Sequence, residues 1–157
     1  MKSRLIAVLS LAALCALQPA TAADEPFKKE IKARQGLMQV YAFNLGMLAA
    51  MAKGEAPYDA KVAATAATNL KLATDMKNGA MWAKGSSHAD AGLDKMTNAK
   101  PDIWQAGSKI GERSKALVMA VADLPAAAGA GLDQLKAGVG NVGKACKGCH
   151  DDFRRKP

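Results

Sequence analysis

Five residues close to the end of the chain, Cys146-Lys147-Gly148-Cys149-His150, contain two thiols and an imidazole, which are reactive and metal-binding side chains. Thiols three positions apart share one face of a helix, so both can add to the two vinyl groups at one edge of a porphyrin. His150 follows directly and can offer an imidazole nitrogen to the iron as an axial ligand. The pattern predicts one haem c, attached through Cys146 and Cys149 and ligated by His150.

Three other uses of this pattern are weaker. A zinc site needs four ligands, and only His88 lies outside the motif as a further histidine. A thioredoxin-like redox motif expects a strand before it and a long helix after it, yet the chain ends at Pro157. A local disulfide would leave His150 without a role. Covalent haem attachment uses all three side chains and is therefore the favoured interpretation.

The first 22 residues have the layout of a secretory signal peptide. Lys2 and Arg4 precede an uncharged apolar run over 5–17, and a small-x-small pattern follows at Ala20-Thr21-Ala22. The apolar run is too short to span a bilayer, so we expect cleavage and no membrane anchor in the mature form. The remaining cysteine, Cys15, would be lost with the signal. This predicts a signal peptide over 1–22, a single domain over 23–157, and a periplasmic location.

The whole chain of 157 residues has a formal net charge of +8. The positive residues are scattered, apart from Arg154-Arg155-Lys156 at the end, and aromatic residues that could stack on bases do not alternate with them. We therefore expect no nucleic-acid partner. A charged surface that steers an acidic redox partner, whose identity stays unknown, is the better interpretation.

Apolar residues recur with helical spacing in four segments, and no segment alternates like a strand. The predicted helices run from about Phe27 to Lys53, Asp59 to Lys77, Pro101 to Leu124 and Leu132 to Arg154. The spacing predicts apolar seams that include, in the second helix, Val62, Ala66, Asn69, Ala73 and Met76, and in the fourth, Leu132, Leu135, Val139, Val142, Cys146, Cys149 and Phe153. Four such helices predict an all-α, antiparallel four-helix bundle with covalent haem.

Two features leave room for a cofactor. The seams are rich in Ala and Gly, and shallow helix faces can accommodate a flat macrocycle, although a tightly packed Ala-rich bundle would need no cofactor. The connection over 78–100 is long and contains Trp82 and His88, and long connections in compact domains are often functional.

Two residues on the first seam have more than one interpretation. Arg34 stands where an apolar residue is expected; it either pairs with an anionic haem propionate or extends to solvent from the edge of the bundle. Met38 lies one turn later on the same face. It is ordinary core packing, a cover over the open side of the iron, or a sixth iron ligand.

Four pieces of sequence resemble the cytochrome c′ family, over nearly the whole mature chain. They are the string Arg34–Gln39, the turn Gly54–Ala60, the string Trp82–Gly85, and the haem motif close to the C-terminus, continuing to Arg154. A C-terminal haem motif is specific to this class of c-type cytochromes. The stretch from Ser86 to Lys100 departs from the family by lacking its usual Gly-Thr-Glu.

The resemblance implies a role for each matching residue. Arg34 corresponds to the arginine near a propionate, Met38 to the apolar residue that shields the sixth iron position, and His150 to the fifth ligand. Trp82 belongs to the haem surroundings, and Arg154 to the basic residue one turn beyond the proximal histidine. The resemblance also implies a homodimer formed through the first two helices.

Two functions remain as hypotheses, and neither is enzymatic, because a distal acid–base pair for peroxidase chemistry is not evident. The first is a high-spin, five-coordinate haem that binds small diatomic gases, NO and CO, with an electron-transfer role. The second is a low-spin class II cytochrome in which Met38 and His150 both ligate iron, so that the protein is a pure electron carrier. The string Arg34–Gln39 favours the first.

Overall fold

The computed structural model describes residues 25–156. The predicted signal peptide over 1–22 lies outside the described residues. Within them the regular structure is helical: α1 Lys28–Lys53, α2 Ala60–Asp75, α3 Ile110–Ala122, α4 Leu124–Ala130 and α5 Leu132–Phe153, with two short 3₁₀ helices at Gly79–Met81 and Pro101–Trp104. In this described part of the chain, no helix is long and apolar enough to cross a membrane.

The first helix ends where the sequence predicted. Gly54 adopts a left-handed conformation with φ of 76°, which a residue with a side chain adopts only at a cost. Its N–H donates to the Met51 carbonyl at 3.1 Å, and the next N–H, of Glu55, donates to the Ala50 carbonyl at 2.9 Å. These bonds pair carbonyls that the helix itself leaves open, so α1 terminates there and the chain can turn back.

The second helix begins as predicted but presents a different face. Asp59 caps it, because its carboxylate accepts a hydrogen bond from the Val62 N–H at 2.9 Å. The predicted seam is wrong in part: Val62 and Met76 are 40% and 47% exposed. The buried row instead centres on Leu70, which is 1% exposed. An Ala-rich helix offers similar faces, and here the face with Leu70 is buried while Leu72 is 65% exposed.

The third predicted helix is divided in the structure. Pro101–Trp104 forms one 3₁₀ turn, and α3 begins only at Ile110, because Gly107 takes a left-handed conformation with φ of 78° that interrupts the helix. Pro125 does not end the helical region as expected. It lies in the first turn of α4, where its missing N–H costs nothing.

These helices form the predicted antiparallel four-helix bundle, in which α3 and α4 together supply the third helix. α1 packs against α2 and α5, α2 packs also against α4, and α3 packs against α5. The bulkiest core side chains that are fully buried include Leu48, Leu70, Val121, Leu124, Leu135 and Val142. The segment over 76–109, called here the connecting loop, links α2 to α3 and contacts both α1 and the end of α5.

Candidate haem site

The last two turns of α5 carry the cysteines and histidine of the motif. Cys146 and Cys149 are half-buried free thiols, and His150 lies at the surface beside them. The helix places both thiols on one face, as the spacing predicted. Among residues 25–156, no three His, Cys, Asp or Glu side chains converge as a metal-binding cluster. Two free thiols and an imidazole on adjacent positions are the groups that haem c requires, so these residues fit it.

The surroundings influence how these groups ionise. Burial raises the pKa of both thiols, and for Cys149 the neighbouring Cys146 and Asp152 raise it further while Arg113 opposes them. Partial burial lowers the pKa of His150, the charge of Arg154 lowers it further, and Asp151 acts in the opposite direction. The neutral imidazole is the form that binds a metal, so this environment favours the ligating form of His150.

Arg113 of α3 lies against the motif. Its Nε donates to the Asp152 carboxylate at 2.8 Å, and a terminal guanidinium nitrogen lies 3.3 Å from the position that a Cβ on Gly148 would take. Both partners of the ion pair are about two-fifths exposed, so the pair contributes less than about 1 kcal/mol. Sequence reasoning missed Arg113, because a lone arginine on a helix resembles ordinary surface charge.

Arg34 is buried, with 2% exposure, so the interpretation that it extends to solvent is wrong. Its two terminal nitrogens donate to Ser86 Oγ at 2.7 Å, the Ser86 carbonyl at 2.5 Å, Thr97 Oγ1 at 3.0 Å and the Met81 carbonyl at 3.3 Å. Burial lowers the pKa of this guanidinium. All four partners are neutral groups of the connecting loop, so Arg34 attaches that loop to α1. A propionate contact stays a prediction, and it would have to use Nε or displace a loop partner.

Two tryptophans lie against the same guanidinium. The Arg34 Cζ atom is 5.1 Å from the centre of the Trp82 ring and 5.9 Å from that of Trp104, within the range of cation–π attraction. Trp104 also donates from Nε1 to the Trp82 carbonyl at 2.9 Å. The structure thus brings the predicted Trp82 beside Arg34. It adds Trp104, which the sequence analysis missed because it assigned that residue to the third helix.

The predicted distal residue, Met38, lies on α1 between Arg34 and Tyr41. Met38 is half-buried one turn after Arg34, and its neighbour Leu37 is 5% exposed. One turn further, Tyr41 is close enough to Cys146 for that thiol's charge to raise its pKa, although burial is the larger cause. The Tyr41 hydroxyl donates to the Ala73 carbonyl at 3.2 Å. Tyr41 and Cys146 therefore lie in one region of the bundle, while Arg154 lies exposed at the end of α5.

Comparison with known proteins shows which family has this haem motif and fold. The family model described as Cytochrome C′ matches residues 29–154. The chain belongs to the cytochrome c′ family. A cytochrome c′ from Cereibacter sphaeroides is 44% identical over 146 residues, covering 93% of this chain and 96% of that protein. Because cytochromes c′ carry covalently bound haem c, the protein is a c-type haem protein.

Solved structures agree with this assignment. A cytochrome c′ from a Rhodobacter species superimposes with a TM-score of 0.80 at 43% identity, covering 85% of this chain and all of the other. A nitric oxide complex of a mutant cytochrome c prime from Alcaligenes xylosoxidans superimposes with a TM-score of 0.69 at 30% identity, covering 83% of this chain and 97% of that one. The sequence and structure comparisons therefore give the same family and the same fold.

Proposed function

We propose that the protein binds small uncharged diatomic gases, NO and CO, at a five-coordinate haem iron. Cys146 and Cys149 form the thioether attachments, His150 supplies the proximal ligand, and Met38 covers the opposite side. The observation that carries the proposal is that Tyr41, one turn after Met38 on α1, and Cys146 of the α5 motif pack against the same core and lie close to each other. The nitric oxide complex of the Alcaligenes relative supports it.

The haem supplies an iron that binds diatomic ligands and changes oxidation state; the chain decides which ligands are favoured. Bound O₂ carries partial negative charge and is stabilised by a hydrogen-bond donor, whereas NO and CO need none. The Tyr41 hydroxyl already donates to the Ala73 carbonyl, and both terminal nitrogens of Arg34 already donate to the connecting loop. The Tyr41 hydroxyl and both terminal nitrogens of Arg34 are therefore engaged, and only Nε of Arg34 has no described partner, so the site favours NO and CO over O₂.

An electron-carrier function is the second candidate, and the position of Met38 favours it. A half-buried thioether on this face could ligate iron as well as cover it. In that case the protein would be low-spin and closed to gases, with electron transfer as its whole function. In the five-coordinate case electron transfer accompanies gas binding.

An absorption spectrum of the oxidised and reduced holoprotein distinguishes these functions. A vacant site gives a high-spin spectrum in both states and a ferrous form that binds CO. Met38→Ala should then accelerate CO binding without changing the spin state, because it removes a steric barrier. The matched control is Met76→Ala, since Met76 is 47% exposed on α2. A low-spin wild type that Met38→Ala converts to high-spin would establish the electron carrier and refute gas binding.

We also propose a homodimer formed through α1 and α2. Phe43 on α1 and Leu72 on α2 are 68% and 65% exposed, so each of the two helices carries a large apolar side chain that a partner subunit would cover. Sedimentation of Phe43→Glu should show a monomer where the wild type is a dimer. Met119→Glu on α3, where Met119 is 66% exposed, is the control and should remain dimeric. A monomeric wild type would contradict the proposal.

Export to the periplasm is proposed from the first 22 residues. The mass of the protein isolated from a producing bacterium tests both export and haem attachment. It should equal residues 23–157 plus one haem that resists acid–acetone extraction. Cys146→Ala together with Cys149→Ala should make any haem extractable, which tests the attachment sites separately from cleavage. Extractable haem in the wild type, or an uncleaved N-terminus, would contradict the respective half of the proposal.

A further inference from the structure

The turn that carries His150 is the last turn of α5, and helix ends are intrinsically weak points. The final four carbonyls of a helix have no partner within it, and such ends fray. In α5 these are the carbonyls of His150, Asp151, Asp152 and Phe153, because the helix ends at Phe153. An imidazole on a frayed turn would have no fixed direction toward an iron.

One residue of the connecting loop satisfies three of those four carbonyls. The ammonium of Lys100 donates to the Asp151 carbonyl at 3.0 Å and to the Asp152 carbonyl at 3.1 Å. The backbone N–H of Lys100 donates to the Phe153 carbonyl at 2.9 Å. The fourth carbonyl, that of His150, accepts from the Arg154 N–H at 3.0 Å. The final turn is therefore fully paired, and a positive charge lies where the helix dipole is negative.

Lys100 is itself held in place from both sides. Ala99 and Arg154 form an antiparallel bridge, and the Arg155 N–H donates to the Asn98 carbonyl at 2.8 Å. Pro101 follows at once and begins a 3₁₀ turn, which restricts the backbone after Lys100. The cap is thus a fixed part of the fold rather than a flexible lysine that meets carbonyls by chance.

We propose that Lys100 is a positioning residue for His150: by capping the last turn of α5, it fixes the orientation of the imidazole that ligates iron. The proposal rests on the proposed role of His150 as the proximal ligand. Lys100 does not touch the iron in this scheme and acts only through the α5 backbone. Its charge-assisted bonds to two carbonyls are of the stronger kind in proteins.

The test compares three holoprotein variants by two measurements. Lys100→Met keeps a stem of similar shape and removes the donors, and Lys100→Arg keeps a charged donor. Lys156→Met is the control for charge alone, because Lys156 is exposed and its charge acts on the Asp151 carboxyl without capping a carbonyl. The first measurement is hydrogen exchange of the Arg154 amide, which bonds to the His150 carbonyl. The second is the iron–histidine stretching band of the ferrous protein by resonance Raman.

Lys100→Met should accelerate exchange of the Arg154 amide by about tenfold and should shift and broaden the iron–histidine band. Lys100→Arg should restore the wild-type band, and Lys156→Met should change neither measurement. Faster exchange with an unchanged band would show a cap that does not position the ligand, and unchanged exchange would show no cap; either overturns the proposal. If Lys100→Met fails to fold, Lys100→Gln, which removes the charge but keeps an amide NH₂ group, serves in its place. A wild type without an iron–histidine band would instead refute the proposed role of His150.

Discussion

The attachment of the connecting loop to α1 depends on Arg34, and replacing it with methionine tests this. Arg34→Met keeps an unbranched stem and removes the four hydrogen bonds to the loop. Some partners keep another bond: Thr97 Oγ1 still accepts from the Ala99 N–H at 3.2 Å, and Ser86 Oγ still donates to the Ala83 carbonyl at 2.6 Å. The Ser86 carbonyl has no such alternative among the described hydrogen bonds, and Ser86 is fully buried.

The loss in the free energy of unfolding of Arg34→Met can be estimated from these groups. One buried carbonyl left without a donor costs about 1–3 kcal/mol. Loss of the two tryptophan contacts adds about 1–2 kcal/mol. Relief from burying a charge, whose cost is evident in the lowered pKa of Arg34, offsets part of this loss. We therefore expect the free energy of unfolding to fall by about 2–4 kcal/mol.

Guanidinium unfolding of the holoprotein, followed by tryptophan fluorescence, measures this loss as a lower midpoint with an unchanged slope. Gln35→Met is the matched control. Gln35 is adjacent and its Nε2 donates to the Met96 carbonyl at 2.7 Å, but this bond is exposed, so we expect a loss under about 1 kcal/mol. If Arg34→Met lost no more than Gln35→Met, Arg34 would not hold the loop. If Arg34 lies near the haem, as the family resemblance implies, a redox titration of the same variant should show a lower reduction potential, because a cation there favours the less positive ferrous iron.

Two further predictions concern packing and pH. Gly138→Ala should destabilise the protein by about 1–2 kcal/mol, because its Cβ would lie 2.6 Å from Cδ1 of the buried Leu124. In Gly140→Ala the new Cβ would meet nothing within 4 Å, so this variant should be more stable by about 0.5–1 kcal/mol. Equal shifts in the thermal unfolding temperature of the two variants would contradict the packing of Gly138 against Leu124. The hydroxyl and N–H of Ser87 hold the pKa of Asp90 below its ordinary 3.8, so its contribution to stability is present above pH 3.8 and lost as the pH falls through the folded value. Asp90→Asn should accordingly unfold more easily than the wild type at neutral pH, and the difference should vanish in strong acid; a difference independent of pH would refute this.

The parts of the fold that follow from local patterns were predictable from the sequence. The 3-4 spacing of α5 correctly placed Leu135, Val142 and Phe153 in the core, because each is the bulkiest apolar residue on its turn. Asp59 predicted the start of α2 through capping chemistry. The cysteine motif predicted haem c from residue types alone, and the family assignment confirms that cofactor class.

The parts that depend on long-range contacts were not predictable. The partners of Arg34, Ser86 and Thr97, are buried polar residues more than 50 positions away in sequence, and no local pattern indicates that they converge. The predicted seam of the second helix is only partly right, with Ala66 and Ala73 buried but Val62 and Met76 exposed, because alanines give little contrast between faces. The break near Gly107 was missed because a glycine inside an apolar periodicity is compatible with a helix until the backbone φ is known.

The connecting loop joins the two sides of the proposed haem site. Near its middle, Ser86 and Thr97 hold Arg34, one turn before Met38 on α1. Only three residues after Thr97, Lys100 caps the turn of α5 that carries His150. Helix packing alone fixes the spacing between α1 and α5 but not the rotation of the last turn of α5. Because the segment between Thr97 and Lys100 is short and bonded at both ends, a change on the Arg34 side should reach the His150 turn through it. The iron–histidine band of Arg34→Met should therefore broaden as that of Lys100→Met does, whereas the band of Gln35→Met should not. An unchanged band in Arg34→Met would show that the attachment of the loop to α1 and its attachment to α5 act independently.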